Sequence, residues 1–116
     1  MPRTALAITL LLAALPAMAQ DMADADAIKA AIGGNTVQGS MSDGAAYTEF
    51  YAADGMIKGA DYTGIWAVSE DQMCFAYGTD PATCYGVRIA GDQVTWVAEA
   101  GDAGTGTLLP GNPNGF

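Results

Sequence analysis

The reactive side chains of this chain are two cysteines, Cys74 and Cys84, and thirteen carboxylates, with no histidine anywhere. Without imidazole, the triads of serine and cysteine hydrolases lack their base, and the usual zinc and copper sites lack their main ligand. Carboxylate pairs remain, and Glu49 with Asp54 or Asp61 is the pair placed to act as acid and base. These acids stand beside turn residues, where Asp serves local hydrogen bonds, so solvated loop acids are the simpler reading. No enzyme is expected: no catalytic residue, metal ligand or cofactor is assigned, and a carboxylate-dependent hydrolase is only the third-ranked reading.

The cysteines do not form a C-x-x-C pair, and nothing in the chain would activate a thiolate. They are expected to be joined. The closed loop would hold eleven residues, for which chain entropy gives about 3 kcal/mol of stabilisation. The run Asp21-Met22-Ala23-Asp24-Ala25-Asp26 hints at calcium, but the glycine and glutamate that the EF-hand requires are missing. Gly101 to Gly106 has its glycines in the wrong order for a dinucleotide loop and no lysine for a phosphate loop.

Recognition falls to the aromatics, which give large contact area at small entropic cost. Tyr47, Tyr51 and Tyr62 are the candidate binding surface. Trp66, Phe75, Tyr85 and Trp96 are assigned to the core, on the register argument below.

The N-terminus addresses the chain for export. Arg3, an apolar run from Ala5 to Leu15, Pro16 and the small residues Ala17 and Ala19 follow the order of a secretory signal peptide. Cleavage is expected between Ala19 and Gln20, giving a signal peptide over 1–19 and a single domain over 20–116. The apolar stretch is shorter than the about 20 residues that span a bilayer, so no stable membrane anchor is expected after cleavage. The location is then periplasmic or secreted, an oxidising compartment that favours the disulfide. The mature part keeps only Lys29, Lys58 and Arg88 against all thirteen acids, a formal charge of −10. That balance argues against nucleic acid as a partner, since phosphate binding relies on Lys and Arg.

The elements that would position these residues are mostly strands. Ala27, Ile28, Ala31 and Ile32 recur at helical spacing, with Asp24 or Asp26 as cap and Gly33 in the left-handed stop position. From Thr36 onward, short β-type runs alternate with turn residues: 36–41, 47–53, 56–59, 64–69, 72–78, 84–90 and 93–98. Asp54-Gly55 is the strongest two-residue hairpin signal, of type I′. Gly91-Asp92 suits type II′, and Glu70-Asp71 is weaker. If the last two close hairpins, Trp66 faces Phe75, Val68 faces Met73, Val87 faces Trp96 and Ile89 faces Val94, while Cys74 and Cys84 share the opposite face. The Gly/Pro-rich stretch 101–116 reads as a flexible tail, with Leu108-Leu109 able to clip it to the sheet.

Taken in order, Gly33-Gly34-Asn35-Thr36, Asp54-Gly55, Gly64-Ile65-Trp66, Cys74, Cys84-Tyr85, Gly91-Asp92 and Gly111-Asn112-Pro113 resemble a group of small exported bacterial proteins of uncharacterised function. The resemblance implies a periplasmic β domain and brings no catalytic residues with it. A fainter similarity, in size, GxW and one disulfide, is to periplasmic β-barrel inhibitors of metalloproteases. Their inhibitory N-terminal arm is not matched by the acidic Gln20 to Asp26.

The expected fold is therefore mainly β: an antiparallel meander of six to eight strands, strongly curled or closed into a small barrel, with one short N-terminal helix and one disulfide. The expected function is a non-catalytic periplasmic or secreted module that binds a small ligand or a protein, with the protease-inhibitor-like barrel as the alternative.

Overall fold

One short helix precedes eight strands, and each strand pairs antiparallel with the next until the last returns to the first. The computed structural model describes residues 22–116. The expected signal peptide and the expected Ala19–Gln20 cleavage site lie outside the described residues. The elements are α1 (Ala25–Ile32), β1 (Asn35–Met41), β2 (Ala46–Tyr51), β3 (Met56–Lys58), β4 (Thr63–Ser69), β5 (Gln72–Ala76), β6 (Thr83–Ala90), β7 (Gln93–Ala98) and β8 (Gly101–Leu109). They form a closed barrel in sequence order, with β1 hydrogen-bonded to both β2 and β8.

The helix starts where a cap is available: the Asp24 side chain accepts the Ala27 N–H at 2.8 Å. Acidic Asp26 in the first turn and Lys29 in the last complement the helix dipole. Ile28 and Ile32 are fully buried, and Asp71 in the β4–β5 turn accepts the Ala25 N–H at 2.8 Å. The helix therefore packs on the end of the barrel formed by the β2–β3, β4–β5 and β6–β7 turns. Its stop differs from expectation: Gly33 has φ −59 and its N–H is bonded to Lys29 O, while Gly34 takes the left-handed conformation at φ +79. The chain turns one residue later because the Gly34 N–H is held by Tyr51 O at 2.7 Å.

Register follows the turn chemistry. Trp66 lies opposite Phe75, Val68 opposite Met73, Val87 opposite Trp96 and Ile89 opposite Val94. Cys74 lies directly opposite Cys84, and the two form the disulfide, S–S 2.03 Å, stapling β5 to β6. The turn types differ in one respect. Glu70 and Asp71 both have positive φ, 51 and 58, as a type I′ turn requires, whereas at Asp54-Gly55 only Gly55 does. β2 stops at Tyr51, and the four residues from Ala52 to Gly55 form the turn, with Gly55 N–H on Ala52 O at 3.0 Å. Trp66 draws that turn onto β4, donating Nε1–H to Ala52 O and its own N–H to Gly55 O, both at 2.9 Å.

The tail expected at 101–116 is not a free arm over its first nine residues, which form β8 and close the barrel. Its glycines give close approach instead of flexibility. Gly39 of β1 faces Gly106 of β8, and a Cβ on Gly39 would overlap the Thr105 carbonyl oxygen and stand 2.5 Å from Gly106 Cα. Past β8, Thr36 Oγ1–H donates to Gly111 O at 2.8 Å, and the Gly111 N–H donates to Asn35 Oδ1 at 3.0 Å. These bonds join the Asn35-Thr36 and Gly111-Asn112 sequence elements and cover Thr36, which is fully buried. Asn112 then closes the last five residues, bonded to both N–H and C=O of Phe116.

Candidate ligand cavity at the open end of the barrel

The other end of the barrel carries the β1–β2, β3–β4, β5–β6 and β7–β8 connections, and no helix among the described residues covers it. Side chains alternate along each strand, so Val37, Gly39 and Met41 of β1 and Tyr47, Glu49 and Tyr51 of β2 share the inner face. Toward the helix the interior is filled by Val37, Ile57, Met73, Val87 and Val94, all at most 1% exposed. Toward the open end, inner glycines stand between large side chains and make room for them. Cβ atoms added at Gly64 and Gly106 would collide with the Tyr77 ring (2.7 Å) and with Tyr47 Oη (2.6 Å).

The space left is a cavity of about 240 Å³ lined by Met41, Tyr47, Glu49, Tyr51, Phe75, Tyr77, Thr83, Tyr85 and Trp96, with Ala45 and Ala46 at the rim. Phe75 is the hub of its aromatic wall, with its ring edge-on to Trp96 at 5.2 Å and to Tyr51 at 6.0 Å and tilted against Tyr85 at 6.0 Å. Edge-to-face contacts of this kind fix ring orientation as well as adding to burial. Tyr47 is pinned by its hydroxyl, which accepts from Trp96 Nε1–H at 2.8 Å and donates to Thr105 O at 2.9 Å.

Glu49 is the one charged residue in this wall, and it is 6% exposed. Three phenols converge on its carboxylate. Tyr51 donates to Oε1 at 2.8 Å, Tyr62 to Oε2 at 2.8 Å, and Tyr77 lies 2.8 Å from Oε2 and 3.0 Å from Oε1. The Tyr62 and Tyr77 rings meet edge-on at 6.0 Å. β3 makes this possible by being short: it pairs with β2 only at Phe50 and Tyr51, so beside Glu49 the wall is the loop that carries Tyr62. Gly59 in that loop makes room, since a Cβ there would overlap the Tyr62 ring.

Burial raises the phenol pKa values of Tyr51, Tyr62 and Tyr77 above the usual range, and the Glu49 charge and the bonds to it push them further up. Tyr47 is raised by burial too, with the Trp96 bond opposing. All four therefore stand as neutral donors at physiological pH. Both Glu49 oxygens are engaged as acceptors by three of these donors. Among the described residues the single ion pair is Arg88–Asp102, at 3.2 Å, and none of their cations is paired with Glu49.

Of the candidate binding tyrosines, Tyr47 and Tyr51 line the cavity, whereas Tyr62 does not line it, is 41% exposed, and meets the wall through its bond to Glu49. Tyr51 is not a surface residue, being 1% exposed, because period-two alternation turns it inward together with Glu49. The four core aromatics divide: Trp66 lies under the helix, while Phe75, Tyr85 and Trp96 are core and cavity wall at once. The carboxylate pairs do not form. Asp54 accepts the Met56 N–H at 3.1 Å in the β2–β3 turn at the closed end, and Asp61 is exposed in the loop beside Tyr62.

The Glu49–phenol cluster was not foreseen as a unit. Its signal is the alternation Tyr47-x-Glu49-x-Tyr51, which sets a carboxylate between two aromatics on one strand face. Among the described residues no group of three or more Cys, Asp or Glu side chains is arranged to hold a metal ion. Comparison with protein-family models, with curated proteins and with solved structures found no match to this chain.

Proposed function

We propose that this protein is a non-catalytic binding module, exported to the periplasm or secreted, that holds a small molecule in the open end of its barrel. The observation that carries this reading is the aromatic cavity with the Glu49 carboxylate in its wall. Ligand sites are typically concave and mostly apolar, with a few fixed polar groups, and drug-sized ones run to about 300–1,000 Å³. This one, at about 240 Å³, suits a smaller ligand. Export is supported by the signal-peptide pattern together with the disulfide, which belongs in an oxidising environment. A catalytic role lacks a second carboxylate beside Glu49. An inhibitor acting through its N-terminal arm finds less support, since Ala23 donates its N–H to Val87 O at 2.7 Å and ties the described lead to β6.

The test is ligand-observed NMR, mixing the oxidised protein with small-molecule extract from its own compartment. Thr83, inward-facing opposite Phe75 at the rim, gives the control. Saturation transfer should appear with the parent and vanish with Thr83→Trp, which fills the mouth. Transfer unaffected by Thr83→Trp would place binding elsewhere and contradict the proposal.

A further inference from the structure

We infer that the cavity selects a small organic cation, an alkylated ammonium group, an inference that rests on the cavity being a ligand site. A carboxylate buried without a cationic partner is costly, and phenol hydrogen bonds offset that cost only in part. Glu49 accepts from Tyr51, Tyr62 and Tyr77 through both of its oxygens, the bonding pattern of a carboxylate, and phenol donors bring no positive charge to offset it. A cation entering the mouth meets that carboxylate together with the rings of Phe75, Tyr85 and Trp96. Aromatic walls around a charged centre are the general means of holding quaternary and methylated ammonium groups, by cation–π attraction.

The hydrogen-bond inventory decides between kinds of cation. A carboxylate has about four acceptor sites, and three phenol protons already engage this one. Tyr47 Oη is likewise committed, to Trp96 and Thr105. A primary ammonium group brings three donors that want acceptors, and the wall has few to spare. An alkylated ammonium brings charge and apolar surface with few donors or none. An anionic ligand would be repelled both by Glu49 and by the acidic surface.

Tryptophan-fluorescence titration reads this directly, since Trp96 lies in the wall. The probes are choline chloride, its uncharged isostere 3,3-dimethylbutan-1-ol, and sodium acetate, at constant ionic strength in potassium chloride. Choline should give saturable binding at least about tenfold tighter than the isostere, acetate should give none, and Glu49→Gln should bring choline down toward the isostere. If the isostere binds as tightly as choline, the cation inference is overturned while the cavity reading stands. If neither binds, the cation inference is overturned, and the cavity reading is decided separately by the extract experiment with Thr83→Trp. The comparison of probes on the parent protein holds even if Glu49→Gln does not fold.

Discussion

Glu49 stays in the barrel wall because three phenols donate to it, and each of those bonds can be removed by one oxygen atom. Deleting a donor to a buried charged acceptor costs about 1–3 kcal/mol, less where water can take its place. Tyr51→Phe and Tyr77→Phe should therefore destabilise more than Tyr62→Phe, whose ring is 41% exposed. Urea denaturation of the three variants gives the order; equal losses would show that exposure does not set it, and no loss in any of them would show that the carboxylate does not depend on the phenols. The same cluster sets an alkaline limit. Unfolded tyrosine ionises near its usual value of about 10, while Tyr51, Tyr62 and Tyr77 resist ionisation in the folded state, mainly through burial and then through Glu49. Between those two values the native state binds more protons than the unfolded one, so this stabilisation is complete below about pH 10 and declines as pH rises beyond it. Denaturation midpoints measured from neutral pH upward should fall above that point, and fall less steeply in Glu49→Gln. An alkaline loss unchanged by Glu49→Gln would separate the phenols from the carboxylate. None of this is apparent from composition: in so acidic a chain a single glutamate reads as solvated, and only its two-residue spacing from Tyr47 and Tyr51 marks it as inward.

At the level of elements, the hairpins were legible and the closing strand was not. Turn residues and a period of two set which residues oppose each other, so the pairings of Trp66 with Phe75 and Val87 with Trp96, and the meeting of Cys74 with Cys84, follow from short-range chemistry. β8 has the composition of a flexible tail, and its strand character comes from partners on both sides, the preceding strand β7 and β1, which is distant in sequence. Its inner glycines are required by what they face. Gly106→Ala would press a methyl against Val37 Cγ1 at 2.5 Å and Tyr47 Oη at 2.6 Å, and overpacking of this kind costs about 1–3 kcal/mol. Chemical denaturation should show that loss, and a Gly106→Ala protein as stable as its parent would mean that β8 does not cross β1 this closely. Across the barrel, Cys84→Ala should lower stability by about 3 kcal/mol through the loop it opens, measured against the oxidised parent. An unchanged midpoint would show that the bond does not constrain the unfolded chain.

Across the whole molecule, the two ends of the barrel are built for different ends. The helix, the Trp66 indole and the tight turns fill one end, while the other keeps inner glycines, a short β3 and a ring of aromatics around one charge. The closed barrel and its single disulfide agree with the architecture anticipated from the strand pattern, whereas the position of the cavity depends on which end the helix covers, a tertiary fact that no local signal carries. The central claim is that the open end holds a small molecule, and native mass spectrometry of the oxidised protein, isolated from its own compartment without denaturation, tests it most directly. The parent should carry a released mass small enough for about 240 Å³, and Thr83→Trp prepared in the same way should not. A parent that emerges empty and takes up nothing from the compartment's small-molecule extract, or an adduct retained unchanged by Thr83→Trp, would contradict the account.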